Sequence, residues 1–280
     1  MKIAALTCTG GRPQAFKLCE EYMSRQTRQP DAWVVVDDCN PATACTLGQE
    51  VVRPTPRWRP GGPVTLARNL VEGIAQVESW ADGIVILEDD DHYDPAWIET
   101  AERWLEQNAL VGETRTLYYN VATRRYHEHE NLAHASLCAT AFSAELFDPI
   151  IDALSGYDGP WVDSLIWAKF AAHGHLYHSR LVVGIKGLPG RPGAGQGHTL
   201  SHNWFGIDLD GRYLEQLTGE ADARRYLDMF PRKLTEADKA RLELARKYLP
   251  PPGSSHGVSE TQLRQRREFI EEQLRNRGLT

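Results

Sequence analysis

Four consecutive carboxylates, Glu88-Asp89-Asp90-Asp91, follow directly on four apolar residues, Ile84-Val85-Ile86-Leu87. Adjacent carboxylates repel one another, so clustering them costs free energy unless something positive sits among them. A hard divalent cation, which takes oxygen ligands, suits that place. A second acidic pair, Asp37-Asp38, ends another apolar run, Trp33-Val34-Val35-Val36. The turn Thr7-Cys8-Thr9-Gly10-Gly11-Arg12-Pro13 adds glycines, which let a backbone approach a ligand, and a guanidinium fork that suits phosphate or a base. Asp94-Pro95 reads differently, as a helix N-cap followed by proline at the first helical position.

Two further stretches draw the eye. His127-Glu128-His129-Glu130-Asn131-Leu132-Ala133-His134 lacks the His-Glu-x-x-His spacing that puts two imidazoles on one helix face for zinc. It reads as a polar loop, either solvated or on the side of a second substrate. The run from Gly187 to His198 is too long and too rich in glycine for a simple hairpin, and it carries Arg191.

The elements that position these residues follow from periodicity. Residues 2–6, 33–36 and 84–87 read as strands, the last buried on both faces as in a parallel sheet. Both acidic groups then lie past strand C-terminal ends, where open α/β sheets bind their ligands. Ala15, Leu18, Cys19, Tyr22 and Met23 have helical spacing, as do Ala67, Leu70, Val71 and Ile74 in a helix from Thr65. Trp97, Ile98, Ala101, Trp104 and Leu105 form a third stripe in a helix from Pro95. The proline-rich segment 51–64 reads as an irregular loop. Beyond it, 116–121 and 137–142 read as strands around a polar hairpin, 161–172 as a helix and 181–186 as a last strand. The C-terminal third reads as helical, with Thr235 and Ser259 as N-cap candidates and a linker at 250–255. The first half is thus a nucleotide-binding α/β pattern with a parallel sheet.

The 280 residues suffice for one large α/β domain with a tail or for two small ones. No run approaches 18 apolar residues, so no transmembrane helix is expected, and the short apolar start reads as a strand rather than a signal peptide. Five cysteines without a Cys-x-x-Cys pair favour reduced thiols in a cytoplasm. The net charge of −7 argues against a whole-molecule basic field for nucleic acid. Local groups remain: Arg53, Arg57 and Arg59 could meet a polyanion, whereas Arg264, Arg266 and Arg267 read as a solvated face.

Taken together, the Thr-Gly-Gly-Arg-Pro turn, Gln26-Thr27 before the Val-Val-Val-Asp-Asp strand, Arg68-Asn69, and Leu87-Glu88-Asp89-Asp90-Asp91 resemble the family 2 glycosyltransferases of the GT-A fold. The last stretch stands where that family carries an Asp-x-Asp motif, with Glu88 in the place of its first Asp. The resemblance implies a GT-A-like, Rossmann-type nucleotide-binding half with a mixed central sheet at 1–205 and a helical extension at 206–280. It implies a nucleotide-sugar donor, usually a UDP-sugar, with Mn or Mg on its diphosphate. Glu88, Asp90, Asp91 and His198 would then be metal ligands. Asp38 or Asp37 would hold the base or ribose, Arg12 and Arg68 would lie beside the nucleotide, Thr7, Asn69 and Asp89 would also bind the nucleotide-sugar, and Arg191 would lie on the diphosphate. Asp163, near the start of a later helix, matches the place of an inverting transferase's base, or is a helix cap. The loop from Ile185-Lys186-Gly187 to His198 also has the look of phage glycosyltransferases associated with TET-like oxygenases. That implies hydroxymethylpyrimidine in DNA as acceptor and a host cytoplasm as location. Rival readings are a sugar-nucleotide pyrophosphorylase, disfavoured by the short glycine turn, and a non-catalytic nucleotide-sugar binding module.

Overall fold

The computed structural model describes residues 1–193, 206–251 and 259–279. In chain order the elements are β1 (Ile3–Thr9), α1 (Pro13–Ser24), β2 (Ala32–Asp37), β3 (Glu50–Val52), α2 (Leu66–Val77), β4 (Gly83–Ile86), β5 (His92–Tyr93) and α3 (Trp97–Leu105). There follow β6 (Leu110–Glu113), β7 (Arg115–Asn120), β8 (Arg125–Glu130), β9 (Thr140–Ser143), α4 (Phe147–Leu154), α5 (Val162–Phe170), β10 (Gly174–Tyr177) and β11 (Val182–Lys186). Last come β12 (Gly206–Ile207), α6 (Arg212–Thr218), α7 (Glu220–Met229), α8 (Glu236–Tyr248) and α9 (Glu260–Asn276).

The chain falls into two compact units. One comprises Met1–Thr116, Glu130–Gly184 and 189–193; the other comprises 117–129, Ile185–Leu188 and the described residues from 206 onward. The first is built on a seven-stranded sheet in the order β10-β6-β9-β4-β1-β2-β3. β4, β1, β2 and β3 run parallel, and β9 is antiparallel to both β4 and β6, so the sheet is mixed as expected. The apolar runs of β1, β2 and β4 are buried on both faces, which is why they read as continuous rather than alternating. On one face α2 lays Ala67, Leu70, Ile74 and Val77 against Leu6, Val34, Val36, Ile84 and Ile86. A Cβ at Gly73 would stand 2.3 Å from Leu6 Cδ1, so only glycine lets this helix approach so closely. On the other face Phe16 of α1 stacks on Trp33, and α3 packs against β4, β6 and β9.

Several expectations shift. The segment expected to be irregular opens on the last two residues of β3, which extends the sheet beside β2. β6 and β10 escape the periodicity reading because each is short and mixes glycine and polar residues into its apolar ones, without the unbroken apolar run of β4. The polar hairpin holds a true strand, β8, whose histidines and glutamates alternate without an apolar face. Leu137–Ala139 is a single 3-10 turn, and its strand begins only at Thr140.

In the second unit β8 pairs antiparallel with β12, and Val121 N–H donates to Lys186 O. α8 and α9 pack through Leu244, Ala245, Ile270 and Leu274. Thr235 and Ser259 both cap as expected, each in a reciprocal box with the residue three positions on. The division expected between 205 and 206 is not where the packing divides. Residues 117–129 pair with the segment after 206, so they belong with the C-terminal helices. Among the described residues, no helix is long and apolar enough to cross a membrane.

Candidate active site

Because β4, β1 and β2 are parallel neighbours, their C-terminal ends share one edge. That edge carries Glu88–Asp91 after β4, the Gly10-Gly11-Arg12 turn after β1 and Asp38 after β2. Neighbouring strands lie about 4.8 Å apart, so the two strands that carry the acidic groups run about 10 Å apart with β1 and its glycine turn between them.

Asp38 is fully buried and surrounded by donors. Its Oδ2 accepts from Thr65 Oγ1 at 2.5 Å, Asn69 Nδ2 at 2.9 Å and Arg68 Nη2 at 3.4 Å; its Oδ1 accepts from Arg191 Nη1 at 2.7 Å. Arg191 also donates to Thr65 Oγ1 at 2.9 Å and lies 4.2 Å from the centre of the Trp58 ring. Its backbone N–H donates to Gly11 O, so the 189–193 segment lies on the glycine turn. A Cβ at Gly10 would meet Asp38 Oδ1 at 2.7 Å, which explains glycine at that position. Four of the expected donor-binding residues, Asp38, Arg68, Asn69 and Arg191, therefore converge. Asp37 faces elsewhere: it accepts from Cys39 N, Thr43 N and Arg53, and it shapes the loop after β2. Arg53 is engaged by Asp37 and Cys39 O, and Arg57 by Pro54 O, each while part-buried.

The acidic run divides its work. Arg12 reaches Asp89 Oδ1 at 2.6 Å and Asp90 Oδ2 at 2.7 Å, and Thr9 Oγ1 donates to Asp89 Oδ2 at 2.6 Å. Burial alone would lower the Arg12 pKa, but Asp89 and Asp90 outweigh it and raise it. Burial pushes Asp89 up to about 6, against the pull of Arg12. Glu88 and Asp91 point instead toward Cys138, and one ligand atom from each of the three lies within 4.8 Å of the others. The fully buried Tyr93 hydroxyl accepts from Glu88 N at 2.6 Å. Two carboxylates fit the oxygen preference of Mn or Mg, and the thiol adds a soft donor. Burial, then Asp38, Glu88 and Asp89, raise the Cys8 thiol pKa, so both acidic groups bear on the end of β1.

Thr7 lies beneath this edge. Its side chain is fully buried and accepts from Trp33 Nε1 at 2.9 Å, and Thr9, two residues on, is the threonine that meets an acid. Asp163 is not a helix cap; Trp161 holds that position, and Asp163 lies in the first turn of α5. Burial raises its pKa, opposed by a hydrogen bond from Ser164 N and by His134. Ser164 Oγ stands 3.5 Å from His134 Nε2, and His134 lies four residues before Cys138. Four residues span at most about 14 Å, which ties the Asp163 group to the Glu88–Asp91–Cys138 group through the chain. His198 falls outside the described residues.

No family model matches the chain, and no curated protein matches it. Among solved structures it is similar to S. aureus TarS. For TarS 1-349 in complex with UDP-GlcNAc the TM-score is 0.46 and the identity 12%, over 96% of this chain and 80% of that one. For the complex with UDP the values are 0.45 and 11%, over 92% and 76%. A further TarS structure gives 0.44 and 11% over 66% of this chain, which spans 37% of that TarS chain.

Cys138, one cysteine in an apolar stretch, carries no motif signal in the sequence, and Trp58, which stands out there only as a stackable ring in the arginine-bearing proline loop, meets Arg191 instead. Gln26-Thr27, by contrast, gains a structural account. Gln26 Oε1 accepts from Ile98 N at 3.0 Å, Gln26 Nε2 donates to Asp94 O at 2.9 Å, and Thr27 N donates to Pro95 O. The pair fixes the start of α3, and with it the segment that follows the acidic run.

Proposed function

We propose that this chain is a glycosyltransferase that moves a sugar from a nucleotide-sugar, a UDP-sugar in the first instance, to an acceptor hydroxyl. The observation that carries this is the placement of two separate polar groups on one strand edge, on strands about 10 Å apart on either side of a glycine turn. One is the Asp38–Arg68–Asn69–Arg191 group with Trp58; the other is the acidic run with Arg12. A nucleoside fits the first once Arg191 swings from Asp38 and the Trp58 ring to the diphosphate, freeing Asp38 for a hydrogen bond and Trp58 for stacking, while the diphosphate passes over Gly10-Gly11 to the second. Arg191 and Arg12 then supply guanidinium forks to phosphate oxygens.

Glu88 and Asp91 would hold Mn or Mg, with Asp90 joining only where Arg12 releases it. Such a metal supplies electrostatic stabilisation to the departing diphosphate. Asp163 takes the acceptor's hydroxyl proton, the acceptor oxygen bonds to the anomeric carbon, and the bond from that carbon to the diphosphate oxygen breaks with inversion. A carboxyl pKa raised by burial makes Asp163 a stronger base than an exposed aspartate. We extend the acceptor reading to a hydroxymethylpyrimidine in DNA, whose 5-substituent points into the major groove.

The test is calorimetry with UDP and a UDP-sugar panel in the presence of Mn, followed by assay of UDP release with hydroxymethylated and unmodified DNA. The expected outcome is UDP binding that Asp38→Ala weakens at least about tenfold, the scale of a lost charged hydrogen bond. Absence of UDP and UDP-sugar binding at millimolar concentration would overturn the donor reading. Transfer to other hydroxyls but never to DNA would overturn only the acceptor.

A further inference from the structure

The fold brings a thiol to the acidic run. Arg12 engages Asp89 and Asp90, at 2.6 Å and 2.7 Å from their carboxylate oxygens. Glu88 and Asp91 converge instead with Cys138, one ligand atom from each lying within 4.8 Å of the other two. Asp91 and Cys138 are buried, and Glu88 is half-buried. Strand pairing delivers the thiol. β9 runs antiparallel to β4, with Gly83 opposite Ser143, Ile84 opposite Phe142 and Val85 opposite Ala141. Continued past the ladder, that register sets Cys138 opposite Glu88, and the 3-10 turn Leu137–Ala139 lies against β4.

The spread of the three donors is that of one ion's ligand shell. Carboxylate oxygens stand about 2.0–2.2 Å and thiolate sulfur about 2.3 Å from a first-row divalent ion, so ligand atoms on opposite sides of it are about 4.5 Å apart. The three atoms reach that spacing with a shift of a few tenths of an ångström. Two carboxylates and a thiolate so close repel one another, and a divalent cation among them relieves the repulsion. The donor set also bears on which cation enters. Mg takes oxygen ligands in a near-ideal octahedron and gains nothing from sulfur, whereas later first-row ions bind thiolate well.

We propose that Cys138 is a ligand of the cation that Glu88 and Asp91 hold, and that the site therefore selects Zn, Co or Mn over Mg. The metal–sulfur bond forms from a sulfur lone pair as the thiol gives its proton to solvent. Three protein ligands leave positions on the ion for diphosphate oxygens or water. The inference rests on the metal reading of this site, but it is measured without nucleotide, so a failure to bind UDP leaves it standing.

The test is metal binding to the full chain. Co added to the wild type is expected to give a near-ultraviolet sulfur-to-metal charge-transfer band. That band should vanish in Cys138→Ser and persist in Cys8→Ser, the control because Cys8 is another thiol that Glu88 acts on. By calorimetry, Cys138→Ser should weaken Zn and Co binding about tenfold or more and change Mg binding less than about twofold. Asp91→Asn should weaken all three. X-ray absorption of Zn-loaded Cys8→Ser, which needs no change at Cys138, should show a sulfur neighbour at about 2.3 Å. Absence of Zn, Co and Mg binding would overturn the metal reading and this inference together. Zn with oxygen and nitrogen neighbours alone, a band that survives in Cys138→Ser, or equal losses of Zn and Mg affinity in that variant would overturn this inference alone.

Discussion

Arg12 is the residue on which the acidic edge depends. Asp89 and Asp90 are almost wholly buried, and Arg12 is the cation that meets both. Removing one partner of a buried ion pair leaves uncompensated charge and costs about 3–5 kcal/mol. We expect Arg12→Ala to lower stability on that scale in urea melts. Without Arg12 the carboxylates relieve their repulsion by taking up protons, so the loss should be larger at pH 8 than at pH 5. An equal loss at both pH values would show that the pair is not carrying charge. Asp163 makes the second prediction. Asp163→Asn should fold normally, retain UDP binding and lose transfer. In the wild type, turnover should fall as pH drops through the raised Asp163 pKa, because a base acts only when ionised. Near-normal turnover of the variant would leave Asp163 a structural member of α5.

At the scale of elements, α6 offers a measurable case. Its first-turn N–H groups, those of Tyr213 and Leu214, donate to the Asp208 carboxylate at 3.0 Å each, and Tyr119 Oη donates to it at 2.9 Å. Burial outweighs these bonds and pushes the Asp208 pKa from 3.8 up to about 6. A carboxyl whose folded pKa exceeds its unfolded one binds its proton more tightly when folded. Its contribution is therefore fully present below pH 3.8 and is lost as pH rises to about 6, by about 3 kcal/mol. Asp208→Asn should flatten that stretch of the stability–pH curve while keeping an acceptor for α6. A wild-type and variant difference that is constant from pH 4 to pH 6 would refute this. The same scale explains what the sequence could disclose. Helices α1, α2 and α3 and strands β1, β2 and β4 were legible because each repeats its burial pattern several times. β4 is as short but belongs to the unbroken apolar run Ile84–Leu87, whereas polar residues or glycines interrupt β6, β10 and β3, which take their identity from the neighbours they pair with. At the candidate site, the order and spacing that mark Asp38, Arg68 and Asn69 go with their meeting in one hydrogen-bonded group. Cys138 was not legible, and of Trp58 only its stackable ring was, because only tertiary packing brings Cys138 to Glu88 and Asp91 and Trp58 to Arg191.

At the scale of the molecule, the chain passes repeatedly between its two units, and no single cut separates them. Arg124 sits at the turn between β7 and β8 with φ 56, a left-handed conformation that costs about 1–2 kcal/mol outside glycine. Its guanidinium is buried and donates to Phe230 O at 3.0 Å and Leu209 O at 3.4 Å, while its own carbonyl accepts from Asp208 N at 2.9 Å. Tyr119 sends its hydroxyl to Asp208. A fragment ending at residue 205 keeps Arg124 and Tyr119 but removes every one of those partners, and with them the α8–α9 cluster. Unmet buried groups cost about 1–3 kcal/mol each and more when charged, so the deficit reaches about 5 kcal/mol, comparable with the whole stability of many domains. We therefore expect the fragment 1–205 to melt well below the full chain or to lose its cooperative transition. Its hydrogen exchange should be fastest at 117–129, while β1, β2 and β4 keep the greatest protection. Equal melting temperatures, with 117–129 protected in both, would mean that those residues draw their stability from the first unit.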